Sequence, residues 1–107
     1  MILIERNEMK IDFGQAIVNY AGVQLHVDGD PVTLRSVCCT ALTATIPDEK
    51  ISGMDKVGRF TLAQRIFSAE SPDLTVEEIS LIKRLLDSTY ATVIVGPAWL
   101  LLDPSAS

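Results

Sequence analysis

At 107 residues, with 48% hydrophobic and 21% charged residues, the chain has the composition of one soluble globular domain rather than of a disordered tail. A formal charge of −5 argues against a nucleic-acid binder, which ordinarily carries a basic face. Met1-Ile2-Leu3-Ile4-Glu5-Arg6 is too short an apolar run for a signal peptide, and the apolar stretch over residues 91–102 is interrupted by Gly96-Pro97 and too short to cross a bilayer, so the chain reads as cytoplasmic with no membrane partner.

In chain order, residues 1–10, with Ile2-Leu3-Ile4 as their apolar run, read as a short edge strand or an arm. Val23-Gln24-Leu25-His26-Val27 alternates strictly between apolar and polar, the pattern of a strand with one buried face. Turn residues bound it on both sides, Ala21-Gly22 before it and Asp28-Gly29-Asp30-Pro31 after it. Ile11-Asp12-Phe13 and Ala16-Ile17-Val18 are placed to pair with it through Asn19-Tyr20-Ala21-Gly22, which predicts a β-hairpin over residues 11–28.

The second half predicts helices. Thr33 caps the first, which runs to Leu42 or Ala44 and lays Leu34, Val37, Cys38, Ala41 and Leu42 along one stripe. Ser52 caps the second, over residues 52–67. Its apolar set (Val57, Phe60, Leu62, Ala63, Ile66, Phe67) is too broad for one stripe and predicts burial on two sides, in the core or in an interface. Gly58 in its middle marks either a close backbone approach or an open surface position.

The third helix is the most explicitly marked. Thr75 and Glu78 have the spacing of a capping box, Leu74 and Ile79 that of a hydrophobic staple, and Glu77-Glu78 complement the positive end of the helix dipole. Behind them Ile79, Ile82 and Leu86 form a stripe that starts at Val76 and is widened by Leu81 and Leu85. In the tail, the branching of Val93-Ile94-Val95 predicts a strand, and Gly96-Pro97 opens a short helix carrying Trp99 to Leu102. With no internal repeat or linker, residues 1–107 read as a single α+β domain: an N-terminal hairpin, then three or four packed helices, with residues 103–107 a frayed tail.

Catalytic chemistry finds little purchase. Cys38 and Cys39 are adjacent, a spacing unsuited to a disulfide between them, and with His26 they are the only thiol–imidazole combination in the chain. Cys38 falls on a core stripe and His26 on the polar side of its strand. One histidine and one vicinal cysteine pair do not make a zinc site, and Asp28-Gly29-Asp30 lacks the later oxygen ligands of a calcium loop. No catalytic residue, cofactor or metal is expected.

Two binding classes remain. A helix-turn-helix regulator would use Lys56, Arg59, Arg65, Lys83 and Arg84, but its break over residues 68–74 is long, and the would-be recognition helix opens on Glu77-Glu78, the wrong sign for phosphate. The stronger expectation is protein binding. The tail offers Val95, Trp99, Leu101 and Leu102, with Trp99 as aromatic anchor, and the face of Lys56 and Arg59 comes second.

The strings Gly29-Asp30-Pro31-Val32-Thr33-Leu34, Lys56-Val57-Gly58-Arg59-Phe60-Thr61-Leu62-Ala63 and Leu74-Thr75-Val76-Glu77-Glu78-Ile79 with Leu81-Ile82-Lys83 resemble those of small proteins encoded by tailed phages and prophages. The resemblance implies no catalytic residue. It implies a role in virion assembly or in binding a host protein, with either a second copy or a host or phage protein as partner.

Overall fold

Four short strands and four helices follow one another in the order β1 (Glu8–Lys10), β2 (His26–Val27), β3 (Asp30–Pro31), α1 (Leu34–Thr43), α2 (Gly53–Ser68), β4 (Asp73–Thr75), α3 (Val76–Thr89) and α4 (Thr92–Leu102). These are the elements of a computed structural model that describes residues 8–103. Of the arm or edge strand expected over residues 1–10, Glu8–Lys10 is β1; the rest, including Ile2-Leu3-Ile4, and most of the tail expected to fray lie outside the described residues.

The N-terminal hairpin exists, but its strands are β2 and β3, joined antiparallel with His26 opposite Pro31 and Val27 opposite Asp30. Asp28 and Gly29 both have positive φ (53° and 86°), as both central residues of a type I′ hairpin turn must. The expected reversal at residues 19–22 is also present. There Asn19 Oδ1 accepts from the amides of Ala21 and Val23, and Gly22 has positive φ. It joins the flanking segments through one isolated bridge, Val18 to Gln24, held by the Asn19 amide on the Val23 carbonyl and the Leu25 amide on the Ile17 carbonyl.

The hairpin expected over residues 11–28 therefore fails at its start. The Ile11 amide bonds to Pro72 O and the Phe13 amide to Glu70 O, and both side chains are buried. The Asp12 carboxylate accepts from the Gly14 amide, a local turn that separates this segment from the next. The alternation in residues 23–27 is likewise only half used: Leu25 packs toward the core, while Val23 and Val27 are exposed. β1 and β4 form a second two-stranded ladder, Glu8 opposite Thr75, that no local pattern announces.

The helical half follows its caps. Thr33 Oγ1 accepts from the Ser36 amide and Ser36 Oγ accepts from the Thr33 amide, and the whole predicted stripe of α1 is buried. Thr75 Oγ1 accepts from the Glu78 amide at 3.1 Å, and Glu78 Oε1 accepts from the Thr75 amide at 2.9 Å. Leu74 and Ile79, the two staple positions, are both buried. α1 is the central element, packing against α2, α3 and α4. Its Leu34 and Cys38, with Ile66, Ile82, Leu86 and Leu102, are among the residues fully removed from water. Full burial of one such aliphatic side chain stabilises by about 1.5–3 kcal/mol.

The strand expected at Val93-Ile94-Val95 is instead the first turn of α4. The amides of Ile94 and Val95 both bond to Ala91 O, and Pro97 is accommodated within the helix. A strand there would need a neighbouring edge, whereas α4 buries Ala98 and Leu102 and packs on α3 and α1. Burial outweighs the weak β-preference of branched residues.

Candidate protein-binding surfaces

On α2, Arg59, Leu62, Ala63 and Ile66 face inward. At about 100° per residue, Met54, Val57, Phe60 and Phe67 collect on the opposite side. They are 80, 59, 56 and 74% exposed. Burial on two sides, expected from the breadth of the apolar set, is therefore not met within the chain: one side is core and the other faces solvent. Beside this ridge runs a trough of about 490 Å³ between α1 and α2, lined by Cys39, Thr40, Thr43, Ala63, Gln64 and Ser68 with Phe60 and Phe67. A second recess of about 440 Å³ continues past Phe60 toward Ile46, Ile51 and Lys56.

The basic side chains are mostly occupied. Arg59 is buried, and its two terminal nitrogens donate to the two carboxylate oxygens of Glu49 at 2.9 and 2.8 Å. Arg84 also donates to Glu49, at 3.0 Å. The hydrogen bonds from Arg59 and then Arg84 hold the Glu49 carboxyl down to about 2, and the same carboxylate raises the pKa of Arg59. Arg65 donates to Glu78 and to Asp73 O, and Lys83 to Asp103. For Glu78, burial pushes the carboxyl up, but the hydrogen bonds from Arg65 and the Thr75 amide outweigh it and leave the group low.

Arg59 is thus not part of an accessible basic face; of that pair only Lys56 is exposed. The reason is spatial. Glu49 precedes the helix by a loop, and the fold turns it back under Arg59 and Arg84 together.

The tail surface is also split by the fold. Trp99 is 39% exposed; its indole N–H donates to Lys83 O at 3.1 Å, and the Lys83 ammonium lies 5.5 Å from the ring centroid. Val95 and Trp99 share a recess with Tyr90 and Leu100. Leu102 is fully buried in the core and Leu101 packs against it, so neither forms an open surface. They occupy the inward side of a continuous helix, and the sequence does not indicate that side because residues 91–102 are apolar almost all round.

Cys38 is buried, and burial, assisted by its neighbour Cys39, pushes its thiol far above the ordinary value. Burial also raises Cys39, against the opposing charge of Arg35. Both shifts favour the thiol over the thiolate, the reverse of what a nucleophile needs. His26 lies exposed on the hairpin. Among the described residues, no three His, Cys, Asp or Glu side chains cluster as a metal site would require, and no helix is long and apolar enough to cross a membrane. Comparison with protein-family models, curated proteins and solved structures finds no match.

Sequence reasoning overlooked Met54, in the first turn of α2, and the joining of Arg59 and Arg84 by Glu49. The signal for the α2 face was present in its excess of apolar residues.

Proposed function

We propose that this chain is a small, non-enzymatic, phage-like protein-binding domain that works in the cytoplasm by self-association or by engaging a host or phage protein. The observation that carries the reading is the surplus of exposed apolar surface on α2, to which Val93, Trp99 and Leu100 of α4 add a smaller area. Contiguous apolar patches on soluble monomers rarely exceed a few hundred Å² without an interaction to cover them.

The rival nucleic-acid reading has less support, because Arg59, Arg65, Lys83 and Arg84 are all paired with carboxylates. Light scattering after size exclusion over a concentration series, with capture on the immobilised chain, tests the proposal. The expected result is either a mass above 11.7 kDa that rises with concentration or a captured partner lost on Phe67→Asp or Trp99→Ala. A monomer that captures nothing overturns it. Salt-sensitive retention on duplex DNA would favour the rival.

A further inference from the structure

We infer that the outward face of α2 is a homodimer interface in which two copies of that helix pack antiparallel about a twofold axis passing near Phe60 and Thr61. The inference rests on the protein-binding reading and deepens it by naming the surface and the occupant.

Area supports this occupant. α2 has sixteen residues, a length of about 24 Å. At the exposures of Met54, Val57, Phe60 and Phe67, and with about 150–250 Å² for each aromatic side chain, the ridge presents roughly 500 Å² of apolar surface per copy. Two copies together offer about 1,000 Å², near the lower bound for a specific interface, before Thr61, Gln64 and Ser68 are counted. The α4 patch offers less: Val93, Trp99 and Leu100 are 46, 39 and 55% exposed, and the polar end of Trp99 is already bonded to Lys83 O.

Shape and charge point the same way. The ridge of Phe60 and Phe67 lies directly beside a trough whose α1 wall is made of the short side chains of Cys39, Thr40 and Thr43. A twofold operation at this axis sets Phe60 and Phe67 of each copy against Thr61 and Met54 of the other, a self-complementary contact of the kind an isologous interface requires. Between Lys56 and Arg65 the helix carries a single charged residue, Arg59, and that one points inward to Glu49. No ammonium or carboxylate on the central part of the ridge must therefore be stripped of water, in keeping with the depletion of charge at interface centres. With the axis near Phe60 and Thr61, Val57 of one copy stands opposite Gln64 of the other, and Met54 opposite Phe67.

The test uses the full chain in light scattering and sedimentation over a concentration series. Wild type is expected to be a dimer that dissociates on dilution. Phe60→Asp and Phe67→Asp should each weaken it by roughly tenfold or more while leaving the circular dichroism of the monomer unchanged. Val57→Glu and Gln64→Lys should each weaken the dimer, and the double variant should recover it, because the antiparallel register brings the new charges together. A dimer indifferent to the α2 substitutions but lost on Val93→Asp or Leu100→Asp overturns this interface and keeps self-association. Failure of the double variant to recover the dimer overturns the antiparallel register. A monomer at every concentration overturns the inference alone; the broader reading falls only if capture fails as well.

Discussion

Arg35 sits at the second residue of α1, where its charge opposes the positive end of that helix's own dipole. Its partners lie elsewhere. Nε donates to Ile66 O at 3.0 Å, and Nη2 donates to Ala69 O at 2.8 Å and to Glu70 O at 3.4 Å. The guanidinium therefore caps the C-terminus of α2, where the last carbonyls have no helical amide and the dipole is negative. Arg35→Met keeps most of the aliphatic stem and removes all three bonds. A hydrogen bond to a charged group contributes about 1.5–3 kcal/mol, and the partial exposure of these carbonyls lets water replace some of it, so the expected loss is about 2–3 kcal/mol. For a domain near 100 residues that lowers Tm by about 10 °C. Urea unfolding followed by far-ultraviolet circular dichroism reads the loss as a lower midpoint at unchanged slope. Arg35→Lys should recover less than half, since a point charge cannot satisfy the fork of carbonyls. A change below about 0.5 kcal/mol for Arg35→Met would refute the capping argument.

A methyl group at Gly58 would meet nothing within 4 Å, so the surface explanation of this glycine holds and that of close backbone approach does not. Gly58→Ala should stabilise by about 0.5–1 kcal/mol in the same urea assay, and a destabilised variant would show that the position is constrained. Acid should weaken the fold through Glu49 and Glu78. Both are held below the unfolded carboxylate value, so their contribution is complete above it and is lost as pH falls from about 5, reaching about 2 for Glu49. The urea midpoint should drop across that window, and Glu49→Gln should flatten the drop; an identical pH profile for the variant would rule out the Arg59–Glu49–Arg84 cluster as its source.

What the sequence determined by itself is local. Thr33, Ser52 and Thr75 start their helices because each hydroxyl satisfies an amide within three residues. α1 turns its whole stripe inward and α3 turns Ile79, Ile82, Leu85 and Leu86 inward because both patterns match the helical period, while Val76 in the first turn of α3 stays exposed. The turns at Asn19–Gly22 and Asp28-Gly29 follow from side chains and backbone freedom at those positions.

Tertiary structure decided the rest, wherever one segment needed another distant in sequence. β1 reaches β4, the amides of Ile11 and Phe13 find carbonyls near residue 70, and Glu49 joins two arginines. The valines of residues 93–95 became helical because α4 could bury Ala98 and Leu102 against α1 and α3. Which side of α2 faces water was likewise settled by the place of α1, since an apolar set that covers most of a helix carries no direction of its own. Capping and periodicity act over a few residues; pairing, ion clusters and the choice of exposed face depend on which surfaces the folded chain brings together.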